Sequence, residues 1–348
     1  MTTGPRTSRW PSVALIVVTL LSSPSTAQDT AVDRDGVFVE RQAYVMGTRV
    51  LLATREVSRA AGLGVLDRML SAIESTEGEL STWRDVSLLG QLNAHPVGAP
   101  FAAPSWLCGL LEELRYWHDE TNGAFDPAIG SLVEAWDLRG NGRIPSSDER
   151  ESARLRAGIR LFGVASSPCV VTRRSAATID AGAFGKGLAL DRLWAADFGS
   201  GGRWLADLGG QVAVGPASWG GRQVALAHPV ERDRAVVEVR LERGSLAVSG
   251  GSERDRRVND VPVGHILDPR TGRPVSREFS VVVWHSRALV ADILATALYV
   301  MGADEGLAWA EARGLAACFL LPVTAEESSA ALDGVEISAT VAFTRRFL

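Results

Sequence analysis

Hydrophobic and polar residues alternate with two different periods along most of the chain. Short apolar runs at residues 50–52 and 281–283 are typical of strands. Longer stretches in which apolar residues recur at helical spacing predict helices over residues 63–80, 104–121, 185–198 and 290–301. We find neither an internal repeat nor a heptad pattern. The mixture predicts an α/β or α+β fold that begins at about Phe38.

The first residues have a different pattern, that of a secretory signal peptide. Arg6 and Arg9 precede an apolar run at 13–21, and small residues follow at 25–27. The run is too short for a permanent bilayer-spanning helix. We therefore expect residues 1–27 to be a signal peptide cleaved after Ala27, which predicts a periplasmic or exported protein. An uncleaved anchor, with membrane association, is the alternative.

Composition narrows the possible classes of function. The 348 residues are 46% hydrophobic, enough for one large domain or two intimately joined lobes. A net charge of −5 and the lack of a Lys/Arg run predict no nucleic-acid partner. Cys108, Cys169 and Cys318 have no zinc or redox spacing. We expect buried thiols, and one disulfide in an oxidising compartment is the alternative.

The helix predicted at 290–301 is apolar almost throughout but contains Asp292 and Thr296. Residues four apart share one helix face, so the carboxylate and the hydroxyl point the same way. A carboxylate in apolar surroundings is costly unless it is paired or binds a cation. Oxygen ligands suit Mg²⁺ or Ca²⁺, which makes this pair a candidate metal site. Alternatively, Asp292 pairs with an arginine and Thr296 bonds back to its own helix.

A glycine-rich segment at 178–187, TIDAGAFGKG, is typical of a strand that turns into a helix, and Asp191 follows one turn later. Small residues let a ligand approach the backbone, and helix-opening N–H groups together with Lys186 suit phosphate oxygens. The spacing is not that of a P-loop. A tight turn with a surface lysine is the alternative.

His265 stands just before the sequence DPRTG at 268–272, in which Pro269 and Gly272 favour a tight reversal. A histidine held by a rigid turn can act as a general base toward a hydroxyl group. A structural histidine is the alternative.

Three further segments combine turn residues with a large apolar side chain: Met46-Gly47-Thr48, residues 81–83 (STW) followed by Asn93, and residues 123–127 (GAFDP). Met46, Trp83 and Phe125 could form walls around a planar ring. Capping, turn formation and core packing are the alternative for each segment.

Taken in order, these segments, with Trp136 and the sequences LGG at 208–210 and SG at 249–250, resemble the FAD:protein FMN transferase (ApbE) family. The run HILDPRTG at 265–272 is the most specific. The resemblance implies an α+β, T-fold-like architecture, with one large catalytic domain of two intimately packed α/β lobes over residues 36–346. It also implies a Mg²⁺-dependent enzyme that splits FAD into AMP and FMN and attaches FMN through a phosphoester to a Thr or Ser of an acceptor protein.

The family's site residues can be transferred position by position. The implied metal ligands are Asp292, Thr296 and the backbone carbonyl of Ala183. His265 would accept the acceptor's proton, and Lys186 would neutralise phosphate charge. The implied flavin-binding residues are Met46, Trp83, Ala124, Phe125, Asp126, Asp180, Lys186 and Ile266. The implied partner is an exported or membrane-bound acceptor with a Ser/Thr flavinylation motif, such as a redox-pump subunit or a flavoprotein.

Three positions depart from the family pattern, which leaves the finer geometry of the flavin pocket open. Gly264 stands where an aromatic residue or His is expected, Gln211 where an acidic residue or Asn is common, and Phe184-Gly185 where Ile-Ala is usual. Two other functions remain: a Mg²⁺-dependent FAD pyrophosphatase with water as acceptor, and a non-catalytic flavin-binding protein. Loss of bound FAD on adding Mg²⁺ would exclude the binding protein.

Overall fold

The computed structural model describes residues 36–196, 198, 201–216, 221–251, 255–259, 261–323 and 332–348. The predicted signal peptide lies outside these residues. Strands and helices are numbered in chain order. Eight strands form an antiparallel central sheet in the order β1 (Val37–Val45), β2 (Thr48–Glu56), β6 (Trp204–Leu208), β7 (Gln211–Val214), β10 (Gly244–Gly250), β15 (Ser280–His285), β16 (Ala316–Pro322) and β17 (Val335–Ala339).

The remaining strands form small antiparallel sheets. One has the order β3 (Pro100–Ala102), β5 (Cys169–Arg173) and β4 (Phe162–Ser166). The others are the pairs β8 (Arg222–Ala227) with β9 (Ala235–Leu241), β11 (Arg256–Val258) with β12 (Val261–Val263), and β13 (Ile266–Asp268) with β14 (Arg273–Val275).

The helices of the described residues are α1 (Arg59–Leu80), α2 (Leu88–Ala94), α3 (Ser105–Glu120), α4 (Gly130–Ala135), α5 (Ser147–Leu155), α6 (Gly185–Ala195), α7 (Ala288–Met301), α8 (Ala303–Glu311) and α9 (Val341–Phe347). Side-chain caps fix several helix starts: Ser58 accepts from the Ala61 N–H at α1, and Thr340 accepts from the Phe343 N–H at α9. The four predicted helices are confirmed as α1, α3, α6 and α7, and the predicted strand runs lie in β2 and β15.

Both faces of the central sheet are covered, which explains why its strands are so apolar. Helices α1, α6 and α7 pack on one face. The hairpin β8–β9 and α9 cover the other, where Val239, Leu246 and Phe343 belong to one buried cluster. Mixed helices around a large antiparallel sheet confirm the predicted α+β class. Among the described residues, no helix is both long and apolar enough to cross a membrane.

A further layer forms on the outer side of α6 and α7, where α2, α3 and the three-stranded sheet share a core with Leu289 and Ile293. Cys108 of α3 and Cys169 of β5 form a disulfide across this core, with their Cα atoms 5.9 Å apart. The expectation of three buried thiols is therefore wrong for this pair, because the fold brings together cysteines 61 residues apart. Cys318 is a buried thiol, as expected.

Helix α7 is the most deeply buried helix, since every residue except Thr296 is buried. Helix α6 lies unusually close to the first residues of α7. A Cβ placed on Gly187 would lie 2.5 Å from the Ala288 carbonyl oxygen and 2.6 Å from the Leu289 Cα. Asp191 of α6 accepts a 2.6 Å hydrogen bond from the Ala288 N–H, and Gln211 of β7 donates to the Ala288 carbonyl at 2.8 Å. These contacts fix the start of α7 relative to α6.

We expect Gly187→Ala to lower the free energy of unfolding by about 1–3 kcal/mol, because the added methyl group would overpack the backbone of α7. Urea denaturation measures the effect. Gly109→Ala is the matched control, since a Cβ at this exposed position of α3 meets no described heavy atom within 4 Å. The control should raise stability by roughly 0.5–1 kcal/mol through helix propensity. Equal stabilities for the two variants would contradict the close contact.

Candidate active site

The junction of α6 and α7 holds a buried ion pair. Lys186 Nζ lies 2.9 Å from Asp292 Oδ1, and the Gly187 N–H donates to Asp292 Oδ2 at 3.0 Å. The Asp292 side chain is 6% exposed and that of Lys186 is 25% exposed. The alternative in which Asp292 pairs with an arginine is therefore wrong: the partner is the lysine of the glycine-rich segment. Two predicted site residues more than 100 positions apart meet here.

The oxygen atoms around Asp292 are suited to a hard cation. A continuing helix would direct the Gly187 N–H to the carbonyl of Ala183, but this N–H goes to Asp292 instead. Among the described residues, the Ala183 carbonyl accepts no backbone hydrogen bond, and the Thr296 hydroxyl makes none within its own helix. A carboxylate, a hydroxyl and an uncommitted carbonyl match the ligands that Mg²⁺ takes in proteins.

The 3-10 turn Ala181–Ala183, which carries that carbonyl, contacts both α6 and α7. The described residues contain no group of three or more His, Cys, Asp or Glu that could hold a metal. A cation at this position would therefore be held largely by neutral oxygens, with Asp292 as the one carboxylate among the three predicted ligands. Such a site leaves coordination positions for water and phosphate oxygens.

Asp180 begins the same turn and connects it to Trp83. Its Oδ1 accepts from the Gly182 N–H at 2.8 Å, and its Oδ2 accepts from Arg139 Nη2 at 2.6 Å. The Arg139 guanidinium also donates to Thr82 Oγ1 at 2.7 Å and lies over the Trp83 ring, 5.2 Å from its centre. Trp83 is 72% exposed, so the part of its ring that Arg139 does not cover is accessible to a planar ligand. Sequence analysis missed Arg139, because arginines in short polar loops are common and carry no spacing signal.

Residues 178–180 form no strand, so the predicted strand before the glycine-rich turn is wrong: Asn93, and no strand of the described residues, binds the backbone there. Its Nδ2 donates to the Ile179 carbonyl and its Oδ1 accepts from the Ile179 N–H, both at 2.8 Å. Beside it lies a cleft of about 410 Å³, lined by Thr82, Asn93, Arg139 and Ile179 among others. This size is within the range of small-molecule sites. The motif residue Asn93 therefore shapes the cleft wall through the backbone.

Met46 lies in the two-residue turn between β1 and β2. Both Met46 (φ 52°) and Gly47 (φ 70°) have left-handed backbone, as a hairpin turn of this type requires. Glu77 of α1 accepts a 3.0 Å hydrogen bond from the Met46 N–H, which helps to hold a conformation that is strained for a non-glycine residue. The Met46 Cε lies 3.3 Å from the position of a Cβ on Gly185. Met46 is thus placed against the first turn of α6.

The segment Ala124-Phe125-Asp126 is buried, and its three residues are 1%, 1% and 5% exposed. Asp126 accepts hydrogen bonds from the Ala128 and Ile159 N–H groups at 2.8 and 3.0 Å, and its Oδ2 lies 3.0 Å from His118 Nδ1. The oxygen atoms of this carboxylate are therefore occupied by contacts within the protein. Any contribution of Asp126 to ligand binding is made through the shape of its loop.

His265 and Ile266 lie at the start of β13, which contacts α7. His265 Nδ1 is 2.7 Å from Asp255 Oδ1, and the His265 N–H donates to the same oxygen at 2.9 Å. Ile266 packs on the cluster that contains Ala124. The turn after β13 is held by Trp136, whose indole N–H donates to the Gly272 carbonyl at 2.8 Å. His265 thus directly precedes a strand that contacts α7. Its partner Asp255 was not predicted from the sequence.

The three departures from the family pattern have structural explanations. A Cβ at Gly264 would lie 2.1 Å from the Val275 carbonyl oxygen, so a side chain does not fit there. Gln211 is 1% exposed and satisfies the first carbonyl of α7, as described above. Phe184 fills the core shared with α3, and Gly185 makes room for Met46. None of them displaces a predicted metal or base residue.

The α+β domain brings a lysine–carboxylate pair to the junction of α6 and α7 and holds a histidine on a carboxylate beside a strand that contacts α7. Residues 46–319 match the ApbE family model, and the chain belongs to the ApbE family. This confirms the resemblance and the expectation of a transferase.

Individual relatives agree with the family assignment. The FAD:protein FMN transferase of Treponema pallidum is 29% identical over 84% of this chain and 87% of its own length. The FAD:protein FMN transferase of Vibrio cholerae is 30% identical over 71% of this chain and 75% of its own length. Among solved structures, the ApbE protein of Thermotoga maritima is 25% identical and superposes with a TM-score of 0.77, covering 89% of this chain and 99% of its own. These similarities confirm the predicted fold class.

The His118–Asp126 contact predicts a pH dependence of stability. Burial lowers the pKa of His118, but the hydrogen bond to Asp126 and the charges of Asp126 and Asp119 outweigh it, so this pKa lies above its ordinary value of 6.5. A raised pKa in the folded state stabilises the protein fully below the ordinary value, and the stabilisation is lost as pH rises through the folded value.

We therefore expect the free energy of unfolding of the wild type to decrease, relative to that of His118→Gln, as pH rises from about 6 to about 8. Urea denaturation at a series of pH values measures the difference. Gln91→Ala, a change of a non-titrating side chain at an exposed position of α2, is the control and should leave the pH dependence unchanged. A His118→Gln difference that is constant with pH would contradict a charged His118–Asp126 pair.

Proposed function

We propose that this chain is a Mg²⁺-dependent FAD:protein FMN transferase, which splits FAD into AMP and FMN and attaches FMN through a phosphoester to a Thr or Ser of an acceptor protein. The observation that carries the proposal is the junction of α6 and α7. There Lys186, Asp292 and the uncommitted Ala183 carbonyl lie together at the opening of a helix. Chemistry at a pyrophosphate needs this combination of positive charge and oxygen ligands.

The pyrophosphate would lie at the first turn of α6. Asp292, Thr296 and the Ala183 carbonyl would hold Mg²⁺, which when bound neutralises charge on the phosphate oxygens. The ammonium of Lys186 is already within the site, on a side chain long enough to reach a phosphate oxygen. Asp292 keeps its bond to the Gly187 N–H, which fixes the direction of its second oxygen.

The flavin would be held on the two sides of this junction. Met46 and Trp83 offer large apolar surfaces, and the Ala124-Phe125-Asp126 loop and Ile266 pack against α7 from the other side. Asp180 fixes the turn that carries Ala183, and it is linked through Arg139 to the Trp83 loop. A rigid frame of this kind favours in-line positioning of the reacting groups.

The reaction balances as a single displacement. The acceptor hydroxyl oxygen attacks the FMN phosphorus, its proton passes to His265 Nε2, and the bond from that phosphorus to the bridging oxygen breaks so that AMP leaves. His265 is suited to this role because its other ring nitrogen is held by Asp255. With water in place of the acceptor, the same residues would give FAD hydrolysis.

We further propose that the protein acts outside the cytoplasm, on an exported or membrane-bound acceptor. The Cys108–Cys169 disulfide supports this, because such bonds persist in oxidising compartments. The signal-peptide pattern at residues 1–27 supports the same location. Both observations concern the compartment, and the acceptor's identity depends on surface recognition.

Substitution of Asp292 tests the metal site. We expect Asp292→Ala to abolish the Mg²⁺-dependent transfer of FMN, and Asp292→Asn, which keeps an acceptor for the Gly187 N–H, to reduce it at least about 100-fold through loss of the charged ligand. Rates at a series of Mg²⁺ concentrations and calorimetric Mg²⁺ binding with FAD present measure both effects. An unchanged Mg²⁺ response in either variant would rule out this site. Asp67→Asn, which neutralises a carboxylate paired with Arg41 at the protein surface, is the matched control and should keep the wild-type Mg²⁺ affinity.

Substitution of His265 tests the general base. We expect His265→Ala to reduce transfer by about 10²- to 10⁴-fold, since a positioned base contributes that much, while the FAD dissociation constant stays within about twofold. Fluorescence titration with FAD and mass measurement of the acceptor give the two quantities. Full transfer by His265→Ala would show that another group takes the proton.

A further inference from the structure

The imidazole of His265 is held by a carboxylate ten residues earlier in the chain. The hairpin β11–β12 pairs Arg256 with Val263, so the residue before β11 stands beside the residues after β12. Asp255 Oδ1 consequently lies 2.7 Å from His265 Nδ1 and 2.9 Å from the His265 backbone nitrogen. One oxygen thus accepts two hydrogen bonds from the same residue, which fixes both the backbone and the ring.

This contact determines which ring nitrogen carries the proton. An ionised carboxylate only accepts hydrogen bonds, so Nδ1 must be protonated and the lone pair of a neutral ring belongs to Nε2. The proton of an incoming hydroxyl can therefore be accepted at Nε2. In the other tautomer Nε2 would already carry a proton and could not act as the base.

The aspartate of the DPRTG turn does not perform this task, although it lies only three residues from His265. Asp268 binds Arg270 through three contacts: Oδ1 accepts from the Arg270 backbone N–H at 2.9 Å and from Nε at 3.0 Å, and Oδ2 accepts from Nη2 at 3.1 Å. It stabilises the turn. The geometry assigns the histidine to Asp255 instead.

The position of Asp255 is well defined by its neighbours. The side chains of His265 and Asp255 are 28% and 26% exposed, so solvent screens their interaction only in part. A Cβ on Gly251 would lie 3.2 Å from Asp255 Oδ2, and the absence of a side chain there leaves room for the second carboxylate oxygen. Gly264 cannot carry a side chain beside the pair, because of the Val275 carbonyl.

We propose that Asp255 is the positioning residue of the transfer reaction, a proposal that rests on the proposed function. It holds His265 in the Nδ1–H tautomer and stabilises the imidazolium that forms when Nε2 takes the hydroxyl proton. The proton stays on the imidazole and Asp255 remains ionised throughout. The carboxylate acts through His265 and does not itself contact the reacting phosphate.

Two substitutions separate orientation from charge. Asp255→Asn retains an oxygen that can accept both hydrogen bonds but removes the negative charge, so we expect transfer to fall about tenfold with the tautomer preserved. Asp255→Ala removes both, and we expect a loss of about 10²-fold or more. The FAD dissociation constant and the KM for FAD should change by less than about twofold in both variants. Circular dichroism and urea denaturation check that each variant is folded.

A double-mutant cycle with His265→Ala provides the decisive test. If Asp255 acts through the histidine, Asp255→Ala should cause no further loss of transfer in the His265→Ala background. Additive losses would show a general structural role and overturn the proposal.

The ring tautomer gives a readout that does not depend on transfer. In ¹⁵N NMR of histidine-labelled protein, the His265 signals should report the Nδ1–H tautomer in the wild type and in Asp255→Asn, and a mixture in Asp255→Ala. The Nε2–H tautomer in the wild type would overturn the proposal. A wild type with this tautomer but no transfer activity would instead refute the proposed function while leaving the Asp255–His265 contact established.

Discussion

The structure depends on one buried charge. Asp292 lies within α7, a helix whose residues are otherwise apolar and, apart from Thr296, buried. A carboxylate in such a place is stable only with full compensation, which Lys186 and the Gly187 N–H provide. These bonds hold α6 against α7 at Gly187, where the lack of a side chain permits the close approach. The same diversion of a backbone N–H leaves the Ala183 carbonyl available as a ligand.

Several elements that are distant in sequence serve this junction. Asp191 and Gln211 bind the first peptide groups of α7. Arg139 binds Asp180, and Asn93 binds the preceding residue Ile179. These residues have a structural role, because their hydrogen bonds are made to other groups of the protein. The proposed chemistry is left to Lys186, the three proposed oxygen ligands, Trp83 and His265. The contacts between Lys186, Gly187 and Asp292 serve both the packing of α6 on α7 and the proposed reaction, so the two are difficult to vary independently at these residues.

Helix α7 and the common face of Asp292 and Thr296 could be predicted from the sequence, because both follow from the local spacing of residues. Helical periodicity predicted α7, and the spacing of Asp292 and Thr296 placed them on one face. The Cys108–Cys169 pairing and the Asp255–His265 contact could not be predicted, since both depend on how separate segments return to each other through strands. For the same reason the alternative in which Asp292 pairs with an arginine is wrong. The apolar helix shows that the carboxylate needs a partner, but it does not identify Lys186 as that partner. Gly264 departs from the family pattern because its neighbour is a backbone carbonyl.

The central claim is that cleavage of FAD is coupled to modification of a protein. The most direct measurement is to incubate the mature protein with FAD, Mg²⁺ and an acceptor domain that carries an Asp-x-x-Ser/Thr-Gly-Ala-Thr segment, and to quantify AMP and acceptor mass in the same sample. We expect an acceptor mass gain equal to one FMN phosphoester and an equimolar amount of AMP. AMP with free FMN and an unmodified acceptor, or intact FAD throughout, would contradict that claim.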